Sequence, residues 1–187
     1  QTFALPICRG TGVANVEYRV GDRYRFLETD LLTKQEIRRR VMTVTSTSDD
    51  EVTFNDGRLT TDLLGNPLNK ANGQNFIDRQ IFIAEYSVGK KWRTVYEGIG
   101  RRGKTNEWSV DLKVTARESI TIAAGTFDAF KVEGGGSNRN GIHFQITYWV
   151  APDKVRACLV YEHTRRNRRM SVTDSTRTEL VDFRQAG

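Results

Sequence analysis

The chain is poor in the residues that build catalytic and metal centres. Its 187 residues include two cysteines and two histidines. No Cys-x-x-Cys pair is present and neither histidine has a metal-type neighbour, which excludes the common zinc and redox motifs. Gly-x-Ser-x-Gly, His-Glu-x-x-His and phosphate-loop patterns are also missing. We therefore expect a protein that is not an enzyme and that uses no metal or cofactor.

Long hydrophobic runs are missing too. No apolar stretch approaches the roughly 20 residues of a membrane-spanning helix, so no transmembrane segment is expected. The composition is 37% hydrophobic, 10% aromatic and 28% charged, which is typical of a globular protein and not of a disordered one. We expect one β domain over 1–187, with 1–17 as an irregular lead segment.

The two cysteines bear on the compartment. The chain begins with Gln1 and not with Met, which we interpret as an exported protein after removal of its signal peptide, with a trimmed chain as the alternative. In an oxidising compartment, Cys8 and Cys158 are expected to form a disulfide. Two separate buried thiols are the alternative. The expected location is the periplasm or the outside of a bacterial cell.

Period-two alternation of apolar and polar residues dominates the chain from position 18. It is clearest at 106–116, 142–150 and 155–161, and such alternation predicts half-buried strands. Further strands are predicted at 22–29, 35–46, 50–56, 58–64, 80–86, 91–100, 127–133 and 171–183. The sequence therefore predicts an antiparallel, mainly β domain.

Turn-forming residues separate these strands. Asn55, Asp56 and Gly57 predict a hairpin, because these residue types tolerate positive φ. The glycine-rich segment 134–141 is expected to be a flexible loop. Helix signals are weak: 66–80 is the longest candidate, and at most one or two short helices are expected.

A weak internal repeat is present. Residues 20–25 (VGDRYR) are echoed by 88–93 (VGKKWR), 68 positions later. Chance and duplication both explain a similarity over six residues, three of which are identical. Duplication would divide the chain into two related halves, about 18–87 and 88–187.

Two further segments carry a family resemblance. Residues 123–132 (AAGTFDAFKV) and 148–153 (YWVAPD), together with Val-Gly-x-x-aromatic openings at 20–24 and 88–92, resemble a family of bacterial exported β-proteins of unknown function. That family is similar in architecture to LolA and LolB, lipoprotein carriers with an apolar concave sheet. The resemblance implies export and a curved antiparallel sheet that forms an open or half barrel. It implies no activity and no functional residues.

Clustered arginines are the strongest charge feature of a chain with net charge +6. Arg38, Arg39 and Arg40 are consecutive, so they alternate between the two faces of a strand. At least one of them is expected to face the concave side, and Arg39, which shares its face with Ile37 and Val41, is our candidate. A bound anionic group or a wet cavity would relieve the cost of burying it.

A second cluster comprises Arg165, Arg166, Arg168 and Arg169. It is typical of a solvated hairpin tip, and polyanion binding is the functional alternative. Nucleic acid is not an expected partner, because no recognisable nucleic-acid-binding pattern accompanies the charge.

The leading functional hypothesis is a binding protein that holds an apolar or amphipathic ligand in the β concavity. Its candidate ligand-facing residues are Trp92, Trp108, Tyr148 and Arg39. One alternative is an electrostatic binder of anionic envelope polymers. Another is a structural subunit that joins an envelope assembly through exposed strand edges. The expected partner is thus a lipid-like small molecule, an anionic polymer or an envelope protein.

Overall fold

The structure, a computed structural model, describes residues 12–187. Fourteen strands and no helix form within this range, and so no helix in it could cross a membrane. The strands are β1 (Val13–Ala14), β2 (Arg23–Asp30), β3 (Glu36–Thr47), β4 (Glu51–Phe54), β5 (Leu59–Asp62), β6 (Pro67–Lys70), β7 (Asn75–Ile77), β8 (Glu85–Tyr86), β9 (Lys91–Ile99), β10 (Thr105–Ile122), β11 (Gly125–Asn138), β12 (His143–Val150), β13 (Val160–Arg166) and β14 (Val172–Arg184).

Twelve of these strands form a closed antiparallel barrel in the order β10-β11-β12-β13-β14-β2-β3-β4-β5-β6-β7-β9. Pairing of β9 with β10 closes the circle. The mainly β prediction is confirmed, but the prediction of an open or half barrel is wrong. Closure runs through β5, β6 and β7, which are three or four residues long. The strands β6 and β7 lie in 66–80, the helix candidate, whereas β5 lies in the predicted strand 58–64.

Two of the three clearest strand predictions, 106–116 and 142–150, agree with the barrel, and the third, 155–161, is wrong over most of its length. The inward side chains of β10 and β12 are buried; they are Val110, Leu112, Val114, Phe144, Ile146, Tyr148 and Val150. The predicted hairpin joins β4 to β5 with positive φ at Asn55 (49°) and Asp56 (56°). The segment 151–159, by contrast, is irregular, and β13 begins only at Val160.

The glycine-rich segment 134–141 is not the flexible loop that we expected. Its first five residues belong to β11. A Cβ on Gly134 would lie 2.7 Å from the carbonyl oxygen of Asp111, and one on Gly136 would overlap the carbonyl oxygen of Ser109. These glycines therefore permit close approach of β10 and β11.

One end of the barrel is plugged from inside. Twelve strands enclose more space than wall side chains alone can fill, and side chains of the segment 78–90, namely Ile81, Phe82 and Tyr86, pack into this space. The side-chain oxygen Oδ1 of buried Asn66 accepts hydrogen bonds from the backbone N–H groups of Ile81 and Phe82, at 2.9 and 2.8 Å. The hydroxyl of Tyr148 donates to the carbonyl oxygen of Ile81 at 2.8 Å. These bonds fix the plug against the wall.

A buried carboxylate ties the same end together. Asp22 is fully buried and accepts hydrogen bonds from Arg156 Nη1 (2.6 Å), the backbone N–H of Ala186 (2.7 Å), the backbone N–H of Arg19 (2.9 Å) and the Tyr24 hydroxyl (3.1 Å). One side chain thus joins the start of β2, the segment after β12 and the C-terminal residues.

The opposite end, which we call the mouth, carries the turns that follow β2, β6, β9, β11 and β13. These turns span 31–35, 71–74, 100–104, 139–142 and 167–171. They hold many of the basic residues, including Arg101, Arg102, Lys104, Arg139, Arg168 and Arg169. The turns of the mouth are thus rich in positive charge.

The two echoed segments adopt the same local structure. Gly21 and Gly89 have φ of 94° and 91°. Their N–H groups donate to the carbonyl oxygens of Val44 and Val114, each at 2.9 Å. A register shift follows each of these valines. Duplication of a strand meander would produce such matching geometry. The duplication itself stays a prediction.

Candidate functional site

A cavity in two adjacent parts lies inside the barrel. The inner part, the chamber, has a volume of about 240 Å³. The outer part, the vestibule, has a volume of about 340 Å³ and lies nearer the mouth. Lys70, Arg79 and Tyr161 line both parts. Together the two volumes are in the range of pockets that hold small molecules.

The chamber wall is largely apolar. Its side chains include Phe26, Met42, Leu59, Leu64, Phe82 and Val150. Such a wall favours hydrocarbon over water, because burial of apolar surface is worth about 25 cal/mol per Å².

The register of β3 directs Arg40 into the barrel. Arg40 pairs with Phe26 of β2, and its Cζ lies 5.6 Å from the centroid of the Phe26 ring. Arg39, between two inward arginines, lies on the outer face, where its Nε donates to Glu36 at 3.0 Å. Our candidate Arg39 is therefore not in the cavity. Its neighbours Arg38 and Arg40 are the inward residues.

Two more cations meet Arg40 at the junction of chamber and vestibule. The Lys70 Nζ lies 5.2 Å from the centroid of the Phe76 ring, and the Arg79 Cζ lies 4.9 Å from the same centroid. The Nε of Arg79 is buried and has no hydrogen-bond partner among the described residues. We call Arg40, Lys70 and Arg79 the lumenal cation cluster.

The cluster carries uncompensated positive charge. Within residues 12–187, no carboxylate oxygen lies within 4 Å of its three members, and Glu28 pairs instead with Arg38 at 2.9 Å. Residues 1–11 contain no Asp or Glu. Burial and the nearby guanidinium groups lower the pKa of Lys70 to about 8.

Arg40 experiences the same environment. Burial lowers the pKa of its guanidinium, although water reaches the side chain. The short strands β4 to β7 make the adjacent wall low, which explains this access. An arginine retains its charge at neutral pH even so.

The vestibule contains two more titratable groups. Burial lowers the pKa of His163, whose Nδ1 lies 3.3 Å from Asp174 Oδ2. Burial raises the pKa of Tyr161 to about 12. Both groups are thus mainly neutral at pH 7. No cluster of metal-ligating side chains occurs in the described part of the chain.

The predicted aromatic residues occupy three different settings. Trp108 lines the vestibule and packs edge-on against Phe144, with ring centroids 5.2 Å apart. Tyr148 is fully buried in the core, where its hydroxyl is used by the plug. Trp92 is half-buried and donates from Nε1 to the carbonyl oxygen of Gln80 at 2.9 Å. Of the three, Trp108 alone lines the cavity.

Three of the four residues of the second arginine cluster line one pocket at the mouth, and the fourth does not. Arg165, Arg168 and Arg169 line an open pocket of about 710 Å³ together with Lys104, which we call the rim pocket. Arg165 also lines the vestibule. Arg166 lies apart from this pocket and donates from Nη1 to Gln145 Oε1 at 2.8 Å.

The predicted disulfide between Cys8 and Cys158 is not supported. Cys158 has a free thiol that lines the chamber and donates to the carbonyl oxygens of Val160 (3.1 Å) and Trp149 (3.4 Å). Burial raises its pKa to about 12, so the thiol is unreactive at neutral pH. Cys8 lies outside the described residues.

Sequence reasoning missed the lumenal cation cluster. A signal for Arg40 was present, since Arg38 and Arg40 share a strand face with Met42 and not with exposed Ile37. No comparable signal marked Lys70 and Arg79, which lie in a segment without clear periodicity.

The fold has relatives among solved structures. No protein-family model matches the chain, and no curated protein matches it significantly. A candidate exported protein of YmcC-like fold from Bacteroides fragilis superposes with a TM-score of 0.58 at 11% identity, over 92% of this chain and 99% of that one. The hypothetical lipoprotein YmcC of Escherichia coli gives a TM-score of 0.52 at 10% identity, over 90% and 89%.

At these identities the likeness establishes the fold alone. The similarity to LolA and LolB stays a prediction. What the comparisons do establish is that this chain has the YmcC-like β fold.

Proposed function

We propose that the protein is a non-enzymatic binding protein of the bacterial periplasm or cell surface, and that it holds an amphipathic molecule inside its barrel. The observation that carries the proposal is the largely apolar chamber, with Lys70 and Arg79 lining both it and the adjacent vestibule. A cavity of this kind suits a molecule with one apolar and one polar end.

The proposed location draws on two observations. The motif pair at 123–132 and 148–153 resembles exported proteins, and the two structural relatives are described as a candidate exported protein and a hypothetical lipoprotein. The proposed absence of catalysis draws on the site's chemistry. Its cysteine is half-buried and protonated at neutral pH, and within residues 12–187 the ring nitrogen of His163 that makes a side-chain contact faces the carboxylate of Asp174.

Native mass spectrometry of protein purified from its own source tests this function. We expect a co-purifying mass of lipid size that dissociates on denaturation. A displacement assay with the neutral dye N-phenyl-1-naphthylamine, which fluoresces in apolar surroundings, provides the second measurement. We expect Leu59→Trp, which fills the chamber, to weaken dye binding, and Leu63→Trp, at an exposed position, to leave it unchanged. Equal dye binding by both variants would contradict a site in the chamber.

A second candidate function concerns the rim pocket. Lys104, Arg165, Arg168 and Arg169 line it and have no carboxylate within 4 Å in the described part of the chain, which favours binding of an anionic envelope polymer. Dextran sulfate is a suitable probe. Its binding should weaken steeply between 20 and 500 mM salt, as screening requires, whereas salt-independent binding would refute this function.

The third hypothesis, a structural subunit joined through strand edges, stays a prediction. The barrel closes by pairing of β9 with β10, but β4 pairs only with residues 44–47 of β3, and 36–43 lie outside this pairing.

A further inference from the structure

We propose that the molecule in the barrel is an anionic amphiphile, with its carboxylate or phosphate bound by Arg40, Lys70 and Arg79 and its hydrocarbon tail in the chamber. This inference rests on the proposed function and adds the sign of the ligand's charge, the residues that bind the charged group and the size of the tail.

The position of the cations decides where the head group lies. Lys70 and Arg79 line both chamber and vestibule, whereas Arg40 lines the chamber. The cluster therefore lies where chamber and vestibule adjoin. A head group at this place would put the tail among the apolar walls of the chamber and leave its polar side toward the vestibule.

The state of the cations decides the sign of the head group. Three like charges share one cavity, and the described carboxylate nearest to them is already paired with Arg38. Like charges and unsatisfied donors in a partly buried site oppose folding. A carboxylate or phosphate would neutralise the repulsion and would accept hydrogen bonds from guanidinium donors, including the buried Nε of Arg79 that has no partner among the described residues.

The neighbouring groups do not change this balance at pH 7. Tyr161 and His163 are mainly neutral there, for the reasons given above. Arg165, which also lines the vestibule, adds further positive charge. Asp174 contacts His163. Arg156, which also lines the chamber, is paired with Asp22.

The chamber limits the tail. If a methylene group requires roughly the 30 Å³ that a water molecule takes in the liquid, the chamber volume of about 240 Å³ accommodates about eight carbons. The vestibule can hold the head group and the first carbons of a somewhat longer chain. Medium-chain amphiphiles are therefore the appropriate probes.

Calorimetric titration with three ten-carbon probes at pH 7 separates the possibilities: decanoate and decylamine below their micellar concentrations, and 1-decanol below its solubility limit. We expect decanoate to bind at least about tenfold more tightly than 1-decanol, and decylamine to bind most weakly. Decyl phosphate, as a fourth probe, shows whether the cluster prefers a carboxylate or a phosphate, and tight binding of either supports the inference.

Matched variants locate the head group. Arg40→Met should weaken decanoate binding about fivefold to tenfold and leave 1-decanol binding unchanged. Arg39→Met removes the same charge from the adjacent position on the outer face and should change neither. Lys70→Met should weaken decanoate binding to a similar extent as Arg40→Met. Lys70→Arg, which keeps the positive charge, should bind decanoate as the unmodified protein does. This comparison distinguishes loss of the charge from misfolding.

Two outcomes would overturn the inference, and they are distinguishable. Equal binding of all three probes would refute an anion-specific head-group site while leaving the amphiphile-binding function intact. Binding of none of them, by protein first stripped of endogenous ligand, would refute that function as well.

Discussion

Replacement of Lys70 by methionine should stabilise the folded protein. Lys70 is a half-buried cation beside Arg40 and Arg79, and nothing in the described structure neutralises it. Methionine has a similar length and no charge, so Lys70→Met removes both the repulsion and the cost of keeping an ammonium group among the barrel walls. A residue whose removal stabilises the fold is a residue better explained by ligand binding than by structure.

The magnitude follows from the pKa. The folded protein lowers the pKa of Lys70 from its ordinary value of 10.5 to about 8. One pH unit corresponds to about 1.4 kcal/mol, so the gap between the two values sets an upper limit of about 3 kcal/mol. Water reaches part of the side chain and screens its charge, and we expect a gain of about 1–2 kcal/mol at pH 7.

The sign of the pH dependence is also determined. Between pH 8 and pH 10.5 the unfolded chain binds more protons at Lys70 than the folded chain does, because the folded pKa is the lower one. The stability of the unmodified protein therefore rises with pH across this window. The advantage of Lys70→Met should be complete below pH 8 and should shrink as the pH approaches 10.5.

Urea unfolding of both proteins at pH 7, 9 and 10.5 measures this difference. Lys113→Met, on the exposed face of β10, is the matched control and should show no such pH-dependent advantage. A Lys70→Met variant that is less stable than the unmodified protein at pH 7, or whose advantage is the same at all three pH values, would refute the reasoning.

Three other predictions concern the plugged end, the thiol and ligand binding. Asp22→Ala leaves Arg156 buried without its partner and should lower the free energy of unfolding in urea by about 3–5 kcal/mol. Asp182→Ala, at an exposed ion pair, should lower it by less than about 1 kcal/mol. Equal losses of stability in the two variants would contradict the importance of Asp22. Cys158 should react with Ellman's reagent only after unfolding, and rapid reaction in the native protein would show that it is not buried. Decanoate affinity should fall as pH rises from 7 to 9.5, since Lys70 loses its proton near pH 8, and a constant affinity would exclude Lys70 from the head-group site.

Alternation along the chain was enough to predict most of the barrel wall. Strands such as β10 and β12 are long and have one buried face, so their side-chain period is visible in the sequence. Barrel closure was not predictable in this way. It depends on strands of three or four residues, and β6 meets β7 through a single residue pair, Asn69 with Asn75.

The candidate site was predictable only in part. Trp108 lies in the vestibule because it belongs to a clearly periodic strand. For Arg40, the choice between the two faces of β3 could have been made from the apolar side chains beyond the arginines, since Met42 and Val44 pack inward. Lys70 and Arg79 line the cavity because the short strands and the plug meet there. This arrangement depends on tertiary structure, which local sequence patterns do not predict.

The most direct test of an anionic amphiphile in the barrel is a pH titration of decanoate labelled with ¹³C at its carboxyl carbon, observed by NMR in complex with the protein. A carboxylate held by Arg40, Lys70 and Arg79 should show a pKa well below its ordinary range and so stay ionised to about pH 4 or lower. A carboxyl pKa raised above that range would place the head group in an apolar part of the cavity and would contradict the account.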